Sequence, residues 1–293
     1  MTIYRQIQAM GTTIDVVIPH FDEKRVPVLM RNLREEMGLL ESMLSNYMDD
    51  SVISRFNRLD PGREFHPGET LAALLEELIQ FTDLTKGFFD FTLGAWTSLP
   101  DRKDLGQDEL NKFCRTPIKE RISLDNGILK RRSAKTIIDS GGFGKGFATQ
   151  SIKRIIRDAD IQSAFISFGR SSVLAIGSHP QGDSWKVGIQ HPVDQKKTIG
   201  VIELKDSALS ISGNSMNNRS KHGKGGHVMD PRTGRFITSM DQIAVLSEDP
   251  LGAEVLSTAY LASLDQPEEE EISEIPGFGF YKYRIENNLQ IQK

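Results

Sequence analysis

The chain has 293 residues, a net charge of −4 and a single cysteine, Cys114. Its 38% hydrophobic and 26% charged residues are typical of a globular protein and exclude disorder as the general state. One cysteine excludes an intrachain disulfide and a cysteine-based zinc site, and 36 basic against 40 acidic residues give no general field for binding nucleic acid. No apolar run approaches the ~20 residues of a membrane span, and the N-terminus lacks the pattern of a secretory signal. We therefore expect a cytoplasmic protein with no membrane segment and no nucleic-acid partner.

The first part of the chain predicts a strand followed by three helices. The strand covers residues 10–18. The first helix is strongly amphipathic, since apolar residues recur every three or four positions on one face: Leu29, Leu33, Met37, Leu40, Leu44 and Tyr47. Ser51 is placed to cap a short helix that runs through Phe56. A further helix over residues 71–81 is followed by Gly87, a residue typical of helix ends.

The rest of the chain mixes strands and helices. Residues 100–118 are polar and predicted to be irregular, and a hairpin with its turn at residues 125–127 precedes a strand at Thr136–Asp139. A helix follows residue 146. Further predicted elements are strands at 163–176, 185–190, 198–204, 207–212 and 242–247, a helix at 252–263, and a closing hairpin over 278–292 around Asn287-Asn288. The regular strand–helix alternation of a doubly wound sheet is missing, which predicts an α+β fold with largely antiparallel sheets and flanking helices.

A glycine-rich segment, residues 138–146 (IDSGGFGKG), is the most informative motif. Such a turn between a strand and a helix exposes backbone N–H groups, and the helix N-terminus adds partial positive charge, so the segment can hold a phosphate. Lys145 would add a full positive charge, and Asp139 stands at the strand end where ligand contacts collect. The alternative is a tight turn that needs glycine only for its backbone conformation.

Two weaker motifs lie further along the chain. His227 and Asp230 precede a Pro-Arg-Thr-Gly turn and could converge on a ligand, with the histidine as a general base. Glu254 and Thr258 are four residues apart on one helix face and could share a hard cation such as Mg²⁺. The alternatives are an ordinary surface turn and a helix that satisfies its own polar groups.

In order and spacing, these segments resemble the ApbE-type FAD:protein FMN transferases, formerly described as thiamine-biosynthesis lipoproteins. Seven stretches between residues 9 and 260 carry the resemblance: residues 9–12, 45–57, 87–92, 139–147, the strand around Gly169, residues 212–213 with 227–234, and residues 253–259. The resemblance implies a single ApbE-like domain over residues 1–293, with a T-fold-like core and FAD in a cleft between two lobes. It also implies a Mg²⁺-dependent transfer of FMN from FAD to a threonine or serine of an acceptor protein, with release of AMP.

The resemblance further implies roles for individual residues. Those expected to line the flavin and adenine parts of the site are Met10, Tyr47, Phe88, Phe89 and Asp90. Asp139 would bind FAD, and Lys145 would lie near its phosphates. The Gly142 carbonyl, Glu254 and Thr258 would surround Mg²⁺, and His227 would be the base for the incoming hydroxyl.

The sequence departs from the family pattern in places that bear on activity. Glu254 replaces the usual aspartate, and Arg170 and Ser171 stand where the family usually has Gly-Asp after Gly169. Glutamate keeps the charge but moves its oxygens about one C–C bond outward, which matters for a metal with strict octahedral demands. A flavoprotein that binds FAD without transfer, and a Mg²⁺-dependent FAD pyrophosphatase that yields FMN and AMP, are therefore alternatives.

Overall fold

The computed structural model describes residues 1–97, 106–194, 196–214, 226–264, 272 and 275–283. The helices in this part of the chain are α1 (Val26–Leu44), α2 (Val52–Asn57), α3 (Glu69–Leu84), α4 (Gly94–Thr97), α5 (Gln107–Arg115), α6 (Ile118–Arg121), α7 (Gly144–Asp158) and α8 (Pro250–Ser263). Short 3₁₀ turns precede α1 at Glu23–Arg25 and α7 at Ser140–Gly142.

The strands of the described residues form one large antiparallel sheet and three two-stranded ribbons. Their bounds are β1 (Ile3–Ala9), β2 (Thr12–Ile18), β3 (Ile122–Asp125), β4 (Ile128–Arg131), β5 (Ala164–Phe168), β6 (Ser172–Ile176), β7 (Trp185–Gln190), β8 (Thr198–Leu204), β9 (Ser207–Gly213), β10 (Met229–Asp230), β11 (Arg235–Phe236), β12 (Gln242–Ser247) and β13 (Phe278–Tyr283). The large sheet has the order β1-β2-β5-β6-β9-β12-β13, and the ribbons pair β3 with β4, β7 with β8, and β10 with β11.

Alternation along the central strands gives the large sheet two covered faces. In β6, Leu174 packs towards α1 and α7, whereas Val173 and Ala175 pack against the β7–β8 ribbon. Successive side chains of a strand point to opposite faces, so every residue of β6 is buried. The sheet therefore lies between a helical layer and a ribbon.

Helix α8 lies on the helical side of the large sheet and packs against both the sheet and other helices. It packs on β9, β12 and α7, and its apolar residues, among them Leu251 and Leu256, join a cluster with Leu75 and Leu78 of α3. Asp249 caps the helix by accepting a hydrogen bond from Leu251 N at 3.0 Å, and proline follows at the first helical position, where no N–H is needed. Nearly all of α8 is buried as a result.

Several local predictions are confirmed. Ser51 caps α2 by accepting a hydrogen bond from Ser54 N at 3.0 Å. Asn126 and Gly127 have φ values of 51° and 74° and form the two-residue turn between β3 and β4, as their types favour. The strands predicted at 185–190, 198–204 and 242–247 have those bounds.

Other predictions are wrong in detail. Helix α1 ends at Leu44, so Tyr47 belongs to the following loop. Residues 107–115 form α5 instead of an irregular segment, and residues 163–176 form two strands. Thr136–Asp139 is extended but joins no sheet, since it forms one bridge, between Ile137 and Leu93. Asn287-Asn288 lies outside the described residues.

The fold class is confirmed as a mixed α+β protein with antiparallel sheets and helices. Among the described residues, no helix combines the length and the apolar character that crossing a membrane requires.

Candidate functional site

The glycine-rich turn is shaped by the carboxylate of Asp139. One oxygen accepts a hydrogen bond from Gly141 N at 3.0 Å, and the other accepts from Thr97 Oγ1 at 2.7 Å. Helix α7 starts at Gly144, directly after the turn. Asp139 therefore lies directly before the turn, as predicted, although no strand ends there, and its described contacts hold the turn that would receive a phosphate.

Two asparagines fix the backbone that leads into this turn. Asn57 accepts from Ile138 N and donates to Ile138 O, both at 2.9 Å. Asn46 donates to the same carbonyl at 2.6 Å and accepts from Ser140 N at 3.0 Å. An amide side chain can accept from one backbone N–H and donate to one backbone carbonyl, so these two residues satisfy groups that a neighbouring strand would otherwise bond. Both belong to a stretch that carried the family resemblance, but the sequence assigned them no role.

Lys145 and Glu254 form an ion pair between α7 and α8. The Glu254 side chain is only 3% exposed and the Lys145 side chain 30% exposed. The second carboxylate oxygen of Glu254 lies 3.3 Å from Ser172 Oγ of β6. A Cβ on Gly146 would lie 2.7 Å from Pro250 O and 2.8 Å from Glu254 Cβ, so glycine allows the close helix approach that brings this pair together.

Of the three residues predicted to hold a metal, Thr258 adjoins the other two. A Cβ on Gly142 would lie 3.6 Å from Thr258 Cγ2, and Thr258 Oγ1 donates to the Glu254 carbonyl at 3.1 Å. Behind them, Ser257 Oγ lies 2.8 Å from Ser212 Oγ in a cluster of hydroxyl groups. The described part of the chain contains no group of three or more His, Cys, Asp or Glu residues suited to a metal, so any metal here would depend on backbone and hydroxyl oxygens as well as Glu254.

Met10 and Phe89 flank the glycine-rich turn. The Met10 methyl group would lie 3.4 Å from a Cβ on Gly144, and a ring carbon of Phe89 would lie 3.3 Å from a Cβ on Gly142. Phe88 is also buried, and the Arg232 guanidinium lies 4.4 Å from its ring centroid. Met10 and Phe89 therefore reach the centre of the site, whereas Phe88 packs beneath an arginine.

Asp90 and Tyr47 have very different surroundings. The Asp90 side chain is 3% exposed, is ion-paired with Arg121 and accepts from Thr92 Oγ1 at 2.7 Å. Tyr47 is 99% exposed, and its backbone N–H donates to Ser45 Oγ at 3.1 Å. The structure thus uses Asp90 as an internal partner of arginine and leaves the Tyr47 ring in solvent; flavin contacts of both residues stay predictions.

His227 lies beside the end of β9. Its backbone N–H donates to Asn214 Oδ1 at 3.4 Å, and the Asn214 amide donates at 2.8 Å to the Ile237 carbonyl. Asp230 is buried and accepts from Arg232 N at 2.9 Å, so its carboxylate helps to shape the turn that follows. Asn214, which the sequence did not single out, positions the histidine segment next to the strand that carries the hydroxyl cluster.

A cavity of about 310 Å³ lies beyond Asp90, between the end of α3 and the turn after β10. Its lining includes Lys86, Arg115, Arg121 and Cys114. Burial is the main cause that raises the pKa of the Cys114 thiol to about 11. The thiol is therefore kept protonated at neutral pH and is a weak nucleophile.

Fold and site together define an α+β protein in which a glycine-rich, helix-initiating turn faces a buried carboxylate and a cluster of hydroxyl groups. The chain belongs to the ApbE family, whose sequence pattern matches residues 10–273.

Relatives agree with this assignment over most of the chain. The FAD:protein FMN transferase of Salmonella typhimurium is 25% identical over 280 residues, which cover 90% of this chain and 79% of that protein. The protein of the same name from Vibrio cholerae is 26% identical over 266 residues, covering 86% and 78%. The solved structure of the flavinyl transferase ApbE from Pseudomonas stutzeri, in its apo form, has a TM-score of 0.78 at 22% identity and covers 96% of this chain and 94% of its own. At that identity the structural likeness supports the fold alone.

Proposed function

We propose that the protein transfers FMN from FAD to a threonine or serine hydroxyl of an acceptor protein and releases AMP. The observation that carries the proposal is the geometry around Lys145, which lies within the glycine-rich segment, in the first turn of α7, and is ion-paired with Glu254. Membership of the ApbE family over residues 10–273 supports the same activity and a single ApbE-like domain with FAD between two lobes.

The reaction requires binding and charge neutralisation more than covalent help from the protein. The incoming hydroxyl oxygen would form a bond to the phosphorus on the FMN side, and the bond from that phosphorus to the AMP oxygen would break. His227 would accept the hydroxyl proton, while N–H groups of the turn and the Lys145 ammonium would stabilise charge on the phosphate oxygens.

The residues present fit a magnesium ion. Thr258 adjoins both Gly142 and Glu254, and the donors that these three residues would offer are all oxygen atoms, which Mg²⁺ prefers. When bound, the ion would polarise the phosphoryl oxygens as a Lewis acid. Since the Glu254 carboxylate is already paired with Lys145, we expect weak metal affinity without nucleotide. FAD phosphates would then add ligands and attract the lysine, so Mg²⁺ and FAD should tighten each other's binding by the same factor.

Calorimetric titration of FAD in Mg²⁺ and in EDTA tests the metal directly. We expect tighter binding in Mg²⁺ for the wild-type protein and no difference for Glu254→Gln, which keeps the shape and removes the charge. Equal wild-type affinities in the two buffers would exclude a metal at this site and favour a protein that only binds flavin.

The activity is tested by incubating the protein with FAD, Mg²⁺ and a protein extract of the source organism. AMP is measured by chromatography, and covalent flavin by fluorescence of protein bands in a denaturing gel. Transfer predicts both AMP and fluorescent bands, and both should be lost with His227→Ala. AMP without fluorescent bands would replace the proposal with FAD hydrolysis, and FAD binding without AMP would replace it with a binding protein.

A further inference from the structure

The turn between β5 and β6 places an arginine in a costly backbone conformation. Phe168 and Ser172 are the last paired residues of the two strands, and within the loop Gly169 and Arg170 have φ values of 61° and 65°. Glycine adopts this left-handed conformation freely, whereas any other side chain does so at a cost in stability. Arg170 is one of seven non-glycine residues in the described part of the chain with a positive φ. Such strain can be kept for function, so the place of Arg170 in the fold decides whether it has a role.

Neighbouring contacts place this loop at the rim of the candidate site. Gly169 N donates to Thr13 O at 3.0 Å, next to the β1–β2 turn that carries Met10. On the other side, Ser172 Oγ lies 3.3 Å from the buried Glu254 carboxylate. Two residues of chain span at most about 7 Å, so the Arg170 backbone lies within that distance of the Ser172 backbone.

The charges around the site leave a role for a further cation. Lys145 is paired with Glu254, so these two side chains nearly cancel, and Asp139 adds negative charge at the turn. Arg170 is exposed and forms no ion pair with a carboxylate in the described part of the chain. A diphosphate that entered between the turn and the β5–β6 loop would therefore meet Arg170 as a positive charge not already neutralised by an ion pair.

We propose that Arg170 binds phosphate oxygens of the FAD diphosphate and so favours FAD over flavins without phosphate. The planar guanidinium presents paired N–H donors that match phosphate oxygens, and such charge-assisted hydrogen bonds are stronger than neutral ones. This inference rests on the proposed function, because it takes FAD as the ligand. It gives a binding role to a position where this chain departs from the family pattern.

The test is FAD titration of the wild type, Arg170→Gly and Arg170→Lys over a range of NaCl concentrations. We expect Arg170→Gly to weaken FAD binding by about tenfold, as loss of one charge-assisted contact implies, and to make the affinity less dependent on salt. Arg170→Lys should retain part of the affinity. The melting temperature of Arg170→Gly should stay equal or rise, because glycine relieves the left-handed strain.

Two control variants separate this role from simpler effects. Asn126→Gly changes another left-handed residue, in the β3–β4 turn, and Arg34→Ala removes an exposed charge from α1; neither should change FAD affinity. If Arg170→Gly binds FAD as the wild type does, or loses affinity together with its melting temperature, the inference is wrong. A wild-type protein that binds no FAD would overturn the proposed function itself, and this inference with it.

Discussion

Replacing Lys145 should destabilise the protein more than replacing Glu254, although both substitutions break the same ion pair. Replacing Lys145 with methionine leaves a carboxylate that is 3% exposed with one hydroxyl partner, Ser172 at 3.3 Å. Removing one partner of a buried pair costs about 3–5 kcal/mol because the remaining charge is uncompensated. We expect Lys145→Met to fall within this range.

Glu254→Gln should cost less, about 1–2 kcal/mol, since the remaining lysine is already 30% exposed and can turn its ammonium into water. In the double variant neither charge is left uncompensated. Its cost should therefore be well below the sum of the two single costs, and smaller than that of Lys145→Met alone.

Urea unfolding of the four proteins measures these values as a double-mutant cycle. Tryptophan fluorescence and far-UV circular dichroism should give coincident transitions before the free energies are compared. If the two single substitutions cost the same, or if their costs add in the double variant, the pair does not stabilise the α7–α8 contact in the way its burial indicates.

Three further predictions follow from single residues. Gly146→Ala should destabilise the protein by about 1–3 kcal/mol, since its Cβ would meet the carbonyl oxygen at the start of α8 at 2.7 Å. The control is Gly38→Ala in α1, where an added Cβ would meet nothing within 4 Å besides the backbone of its own helix. It should stabilise the protein by about 0.5–1 kcal/mol, and urea unfolding measures both variants. Cys114, with a pKa of about 11, should react with a thiol reagent about 10³-fold more slowly at pH 8 than a fully ionised thiol. The reaction rate should rise about tenfold for each unit by which the pH is raised; rapid reaction at pH 8 would contradict the burial of the thiol. Tyr47→Ala should change stability by less than about 0.5 kcal/mol, because the ring is 99% exposed, yet remove much of the flavin fluorescence quench if the ring stacks on FAD; an unchanged quench would exclude Tyr47 from the site.

Local patterns predicted those elements whose own residues determine them. The apolar face of α1, the Ser51 cap and the Asn126-Gly127 turn each need only neighbouring residues. Helix α5 was missed because its only large apolar residues, Leu110 and Phe113, are too few to show a helical period. Strand β1 was missed for a related reason: it buries only three of seven residues, as a strand at the edge of a sheet does.

The candidate site shows where reasoning from the sequence stops. The resemblance brought Lys145 and Glu254 into one region, but they are 109 positions apart, and nothing local indicates that they pair. The two hydrogen bonds of Asn57 to a backbone 81 positions away are equally invisible in the sequence. The ion pair of Asp90 with Arg121, 31 positions away, is also not visible in the sequence, although a buried carboxylate needs such a compensating charge; the flavin contact of Asp90 stays a prediction.

The two ends of the proposed FAD site differ in how far the fold prepares them. Around the glycine-rich turn, the Asn46 and Asn57 side chains and the Asp139 carboxylate already hold the backbone through bonds of 2.6–3.0 Å, so a phosphate would bind there with little further ordering. The Tyr47 ring has no such support, because it stands in solvent beyond the end of α1, and fixing it on a flavin would cost conformational entropy. Favourable contacts to the diphosphate must therefore compensate for the entropy lost when the Tyr47 ring is ordered. We expect the contacts of Lys145 and Arg170 with the phosphates to contribute most of the affinity for FAD.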